Sequence, residues 1–485
     1  MIIKILVLAL YAAIIITVGI IGMRKTKTFA DYFLGGGNVG PWMTAFTYGT
    51  AYFSAVVFIG FAGKIGWGFG YSGMWIGLLN AFIGVLAVWG IMGWRIKKVS
   101  VEMQIHTMSE FLEKRYNSPF LKLFASLAIF IFMIPYSAAV FIGLSYLFTY
   151  SFDFIEYWHA VVFMGVFTTI YLVLGGYKSM TIIDMVFGVI MIAGVILLFF
   201  FALDKGGGIN GITGLLQSIQ PKLTEMIGPP GWWPLFSLIF LTSVAPFAMP
   251  QLVQKFYAIR DRKAIKAGMI VSTAFALLVG TVAYFLGSTT RVFLNPEVAP
   301  SVFQNGVPNP DALMPALLNI VMPESLSIII LLLILSASMS TLAALVLISS
   351  SSLAKDFYAG FIKPDISDKN LTRLMRFGSA FFILVSVIIA LIKPDSIVSI
   401  LGISWGAIGA AFLGPFVWGL FNKKVNRYGA VSSSVLGLAC AIWFYYDGMP
   451  SPQAGTIGMI VSLLTNPLVS LLTGGFKKSS KAMEK

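Results

Sequence analysis

Apolar residues run along this chain in long uninterrupted blocks. Windows of about 20 residues, the length that crosses a hydrocarbon core, fall at 4–22, 41–63, 74–94, 121–149, 156–176, 183–203, 232–254, 267–290, 325–352, 374–392, 396–420, 428–446 and 454–474. The pattern predicts an all-α polytopic membrane protein with about 13 transmembrane helices. The first block, from Ile5 to Met23, is too long for the apolar region of a signal peptide and is followed by Arg24, Lys25 and Lys27. It reads as an anchor that stays in place.

Charge supplies the orientation. With the N-terminus outside, segments after odd-numbered spans face the cytoplasm, and these hold 27 of the 33 basic residues. Lys4, Lys64, Lys205, Lys222, Arg291 and Lys393 remain outside. Acidic residues divide ten inside and nine outside, so the inside nets +17 and the outside −3. This bias predicts N-terminus out and C-terminus in. It also explains the net charge of +14 without nucleic acid.

Composition narrows the class. Hydrophobic residues make up 58% and charged residues 11%, which excludes a water-soluble enzyme. The single Cys440 allows no disulfide within the chain, and His106 and His159 make no metal cluster. No soluble domain or linker interrupts the spans. The longest outer connections, about 204–231 and 291–324, have room for short helices or gates, and Gly206-Gly207-Gly208 reads as a turn.

Two spans look broken. The second carries Phe46-Thr47-Tyr48-Gly49-Thr50-Ala51-Tyr52-Phe53-Ser54-Ala55, followed by Gly60 and Gly63. The seventh carries Pro246 and Pro250, which remove two backbone donors and free carbonyls at membrane depth. Each opens a block of five spans, and an odd number gives the two blocks opposite topologies, as an inverted repeat requires. Broken helices at matching positions are the sequence pointer to a transport site.

The ninth span reads Ser336-Ala337-Ser338-Met339-Ser340-Thr341, with residues 337, 340 and 341 on one helical face. Two hydroxyls and a carbonyl facing the carbonyls freed in the second span would form a cage of neutral oxygens. Such a cage suits Na⁺ and offers no nitrogen or sulfur for a transition metal. Hydroxyls that bond back to their own helix are the competing reading. This stretch alone does not separate the two.

The chain resembles the sodium:solute symporter family over nearly its whole length. The resemblance rests on Ala30-Asp31-Tyr32-Phe33-Leu34-Gly35-Gly36-Gly37, Thr107-Met108-Ser109-Glu110-Phe111-Leu112-Glu113-Lys114-Arg115-Tyr116, and Gly175-Gly176-Tyr177-Lys178-Ser179 leading to Asp184. Pro250-Gln251-Leu252-Val253-Gln254-Lys255-Phe256, the Ser340-Thr341 pair and Lys355-Asp356-Phe357-Tyr358 complete it. It implies a leucine-transporter-type fold of two inverted five-helix repeats. The divisions would be 1–40 (an extra helix and cytoplasmic loop), 41–231, 232–420, and 421–485 (two helices and a basic tail). It also implies a plasma-membrane carrier that is not an enzyme, with Na⁺ as the co-transported ion. The shared sodium site, carried over by position, falls on Thr50 and Phe53 and on Ala337, Ser340 and Thr341. Hydroxyls that hold a second sodium in some members are replaced by Ala343 and Ala344. One Na⁺ per solute is therefore expected, with Asp184 on the ion exit path.

Candidate solute-site residues are Tyr52 and Val57, Tyr136, Phe247 and Gln251, and Trp405. Val57 looks like the position where sugar carriers of the family place a glutamine. A sugar would leave unpaired hydroxyls there at about 1–3 kcal/mol each. An amino acid such as proline, or a small carboxylate, fits better, and Lys64 either draws a carboxylate or snorkels to headgroups. The expected partners are a small organic solute and the lipid bilayer, with no nucleic acid and no obligate protein. An H⁺-coupled carrier of the same fold and a transporter-like solute sensor stand as alternatives. A channel lacks a repeated filter sequence, and a membrane enzyme lacks a nucleophile–base or metal constellation.

Overall fold

The computed structural model describes residues 2–25, 29–35 and 39–475. Lys27, Gly36, Gly37 and the basic tail from Lys477 lie outside the described residues, as do the side chains of Arg24, Lys25, Ala30, Lys178 and Ser179. Among the described residues, ten helices are long and apolar enough to cross a membrane, or eleven if the bent pair Trp232–Ala248 and Pro250–Ala258 is one span.

Two of the predicted gaps between spans prove to be helical, which lowers the number of separate runs. The path Val56–Glu102 continues through a 3₁₀ turn at Gly70–Gly73, so windows 41–63 and 74–94 are not separated by irregular chain. Gly70 makes that turn possible with φ +58°. Windows 156–176 and 183–203 merge into one helical run, Tyr157–Lys205. A straight helix of that length would span about 72 Å, yet both of its ends reach the same end of the molecule. The Tyr157 hydroxyl donates to the Ala390 carbonyl at 2.8 Å and its ring packs on Tyr146. At the far end Lys205 bonds the Ile320 carbonyl, next to Asn319, whose amide reaches Tyr150 at 2.6 Å. The run therefore doubles back.

Both predicted breaks are present. Pro41–Tyr52 ends where Phe53 turns extended (φ −103°, ψ 120°), and helix resumes at Ala55. Trp232–Val244 passes through a 3₁₀ turn, Ala245–Ala248, and Met249 is extended before Pro250–Ala258, with a bend of 41°. The two broken helices are tied together at one end. Val39 donates to the Ala258 carbonyl at 3.1 Å and accepts from Arg260 at 3.2 Å. The 204–231 connection carries the helix Gly208–Ile219, and 291–324 carries a two-residue hairpin and Leu313–Val321.

Small residues set how closely the first broken helix approaches Arg262–Phe293. A Cβ on Gly66 would lie 1.9 Å from the Gly287 carbonyl carbon, and one on Gly287 would lie 1.9 Å from the Ala62 oxygen. Backbones in contact at small residues are how membrane helices gain packing without a hydrophobic driving force. Gly287→Ala should lower the stability of purified protein by about 1–3 kcal/mol or more, read as a fall in thermal midpoint. Gly214→Ala, at a position with open space around it, should leave the midpoint in place.

Asp311, in the 291–324 connection, is buried, and its two oxygens accept the Ile397 amide at 3.2 and 3.3 Å. Burial pushes its pKa from 3.8 up to about 7, against the opposing pull of the Ile397 amide and Lys64. The folded protein therefore holds this proton more tightly than the unfolded chain. Its stability falls as pH rises through that window, and the loss is complete above it. Asp311→Asn should raise the thermal midpoint relative to the unaltered chain at about pH 8 and by about half as much at about pH 5.5. An equal difference at both values would show that this carboxyl does not titrate there.

Candidate functional site

The first break leaves amides and carbonyls without helical partners, and the membrane interior has no water to replace them. The Ala55 amide donates to Ser338 Oγ at 3.0 Å, and that hydroxyl donates to its own helix at Ile334 O. The Val56 amide goes to Ser54 Oγ, and the Val57 and Phe58 amides go to the Ser54 carbonyl. With those amides engaged, the carbonyls of Ala51, Tyr52 and Phe53 have no helical donor. Thr341 Oγ1 donates within 3.1 Å of both Ala51 O and Ala337 O. Ser340 Oγ donates to Thr50 Oγ1 at 3.0 Å, and Thr50 in turn bonds Phe46 O.

Thr50, Ala337, Ser340 and Thr341 therefore meet across the break, all fully buried. Phe53 sits at the break itself, but the carbonyl that receives Thr341 is that of Ala51. Ser338 and Ala51 are the residues that sequence reasoning missed. Ser338 was visible in the hydroxyl-rich stretch, but its role depends on which amide the fold leaves unpaired. Asp184 adjoins this cluster, with the hydroxyls of Ser340 and Thr47 and the ammonium of Lys255 as its polar neighbours. The arrangement offers several neutral oxygens at one point plus one carboxylate set back behind a hydroxyl, which is donor chemistry for a hard cation.

Tyr52, Val57, Tyr136 and Trp405 line one cavity beside the break, of about 20 Å³. That volume holds about one water, so the helices are closed around it. Phe53, Thr242, Tyr284 and Asn80 share its wall. Phe247 and Gln251 lie on the second broken helix outside this lining; Gln251 is buried with Oε1 unpartnered among the described residues. Lys64 is also elsewhere, donating to Ser396 Oγ at 3.0 Å.

Asn80 is the polar group in this wall that the sequence did not single out. Its amide nitrogen bonds the Tyr52 hydroxyl at 2.5 Å and the Thr242 carbonyl at 2.8 Å, bridging the two broken helices. The Tyr52 hydroxyl also donates to Thr242 O, at 2.5 Å. Asn80 Oδ1 and Trp405 Nε1 are buried and unpartnered among the described residues. Asn80 Oδ1 thus remains as an acceptor for a ligand, while Trp405 has the Tyr136 hydroxyl as its neighbour. A lone Asn within an apolar window gave the sequence reader little beyond its polarity.

These features define a class: a multi-pass membrane protein with two broken helices that meet around a buried cluster of hydroxyls and freed carbonyls. The chain matches the sodium:solute symporter family over residues 32–437, and it belongs to that family. It is accordingly a plasma-membrane transporter and not an enzyme, and Na⁺ coupling comes with the family. It is 24% identical to the osmoregulated proline transporter OpuE of Bacillus subtilis, covering 98% of this chain and 95% of that protein. It is 27% identical to the sodium/pantothenate symporter of Haemophilus influenzae, covering 96% and 93%. A solved structure of a Na⁺-coupled sialic acid symporter shares the fold at 21% identity, with a TM-score of 0.81 over 97% of both chains.

Asn80→Ala should weaken solute binding about tenfold or more, since a buried hydrogen-bond partner lost from a ligand costs about 1–3 kcal/mol. The check is the concentration for half-maximal uptake, measured beside the thermal midpoint so that a folding loss is not mistaken for a binding loss.

Proposed function

We propose that this protein imports a small amino acid such as proline, or a small carboxylate, together with one Na⁺ per solute by alternating access. The observation that carries the reading is the meeting of Ser340 and Thr341 with Thr50 and the Ala51 carbonyl across a helix break. The sodium site comprises Thr50, Phe53, Ala337, Ser340 and Thr341, with the Ala51 carbonyl added by proximity. The solute site comprises Tyr52, Val57, Tyr136 and Trp405 with Asn80, and Phe247 and Gln251 join it as the second broken helix moves. Asp184 lies on the ion's exit path.

The proline and pantothenate carriers among the relatives support this choice of solute class. No charged side chain lines the cavity and Lys64 is bound elsewhere, which favours a net-neutral zwitterion over an anion. In our reading the chain crosses the membrane 13 times with its N-terminus outside and its C-terminus inside, as its loop charges favour. The repeats are 41–231 and 232–420, flanked by 1–40 and 421–485.

Na⁺ entering from outside ties the first broken helix to Ser327–Ser351 and orders the solute site. Solute binding then favours occlusion, and separation of the two helices opens the inside. One charge moving down 100 mV supplies about 2.3 kcal/mol, and a tenfold sodium gradient adds about 1.4 kcal/mol. Together they support several-hundredfold accumulation of a neutral solute.

The test is uptake into proteoliposomes with and without a sodium gradient, scanning proline, other amino acids, short monocarboxylates, pantothenate and a sugar. Sodium-dependent uptake of one solute is expected. Thr341→Ala should raise the sodium requirement about tenfold or more, because a cation ligand is a charge-assisted bond of about 1.5–3 kcal/mol. Uptake driven equally well by a proton gradient without sodium would replace the coupling ion.

A further inference from the structure

A second cavity, of about 430 Å³, opens between Ile2–Lys25, the end of Pro119–Ser151 and the start of Tyr157–Lys205. It reaches the buried Leu335 of Ser327–Ser351. Its walls are hydrocarbon and aromatic ring, with Leu8 and Ala12 on the first helix and Phe148, Phe163 and Phe167 on the others. Two lining residues carry polar atoms on their side chains. The Tyr11 hydroxyl is engaged by Ser336 Oγ at 3.1 Å, and its ring stacks on Phe187 at 5.8 Å. His159 is exposed, with its ring against Trp158 at 3.7 Å. Ile5, Phe154 and Phe163 are exposed along the rim, so in a bilayer the cavity is continuous with lipid. Water has no partners in an apolar cavity, and an empty one forfeits the dispersion contacts of its lining.

Dimensions choose the occupant. Along Tyr157–Lys205 the lining runs from His159 to Phe167, about 12 Å of helix. One leaflet of hydrocarbon is about 15 Å deep. Spread over that depth, the volume gives a cross-section of roughly 36 Å², or about 7 Å across. A helix with its side chains needs about 10–12 Å, so a spanning segment of a second copy does not enter. An extended acyl chain does. The mouth suits the rest of a phospholipid. Trp158 marks the interfacial level, where indoles concentrate. Lys4 stands one turn before Leu8 on the same face of the first helix, partly buried and in no ion pair among the described residues. Lys4 and His159 are both donors for a phosphate. Of the acids at this end, Glu156 accepts the Trp158 indole at 2.8 Å and Asp153 is exposed. We propose that this cavity is a resident phospholipid site, with one acyl chain in the cavity and the phosphate at Lys4 and His159. The chain fills the gap between the first helix and Leu335, and so keeps that helix seated on Ser327–Ser351 where Tyr11 meets Ser336.

The experiment is native mass spectrometry of the purified full chain after exhaustive detergent exchange, which needs no knowledge of the solute or the ion. One phospholipid per chain should remain bound. Ala9→Trp puts a ring into the cavity from an exposed position on its wall and should lose the lipid. Ala439→Trp, on an exposed face of Arg427–Tyr446, should keep it. Retention should also fall in the double variant Lys4→Gln/His159→Gln. An unaltered chain that holds no phospholipid overturns the proposal, as does a folded Ala9→Trp protein that holds as much as the unaltered one. A free fatty acid or a second copy of the chain in the lipid's place overturns it too. Undiminished retention in the double variant overturns the phosphate contact. A photolabel decides the matter if Ala9→Trp does not fold. A phosphatidylethanolamine with a diazirine in one acyl chain, mixed into bilayers with the unaltered protein, should mark residues 5–12 and 159–167 above other lipid-facing segments. Even labelling of all lipid-facing helices overturns the proposal.

Discussion

Every backbone amide and carbonyl at membrane depth needs a partner, and the break at Phe53-Ser54 is where this protein cannot supply one from within a helix. Ser338 and Thr341 supply it from another helix, one accepting the Ala55 amide and the other donating to the Ala51 carbonyl. The two helices are therefore held by bonds that the bilayer cannot replace. The same freed carbonyls are the atoms a cation would use. In the proposed sodium reading, stability and ion coordination draw on one set of oxygens, so that an ion would decide whether the helices stay together.

The cavity beside it is a consequence of the same break. Tyr52 is the last helical residue before it, and its hydroxyl reaches Thr242 on the second broken helix, with Asn80 bonding both. A movement of either broken helix must break this bridge. Around it the packing is close, with glycine backbones in contact at Gly66 and Gly287 and at Gly77 and Gly280.

Much of this was legible before any coordinates. The Ser340-Thr341 face and the second break at Pro246 and Pro250 followed from helical spacing and from proline's missing donor. The choice of span 2 carbonyls did not follow, because residues 51 to 53 are all freed together and only packing shows that Ala51 receives Thr341. Asn80 escaped notice because one polar residue in an apolar window has no spacing to interpret. The windows at 156–176 and 183–203 were read as separate spans, and the reversal within one helical run depends on contacts at its ends.

The linear order of residues was enough to settle that this chain lives in a membrane, where its hydroxyls cluster and where its helices must break. Those properties depend on hydropathy and local backbone chemistry, which act over a few turns. What required the folded molecule was partnership. Ser338 meeting the Ala55 amide, Asn80 bridging Tyr52 and Thr242, and Lys255 facing Asp184 all join residues far apart in the chain. No local periodicity encodes such pairs, since they exist only once several helices have packed and each buried charge or amide has found the group that offsets its lost hydration.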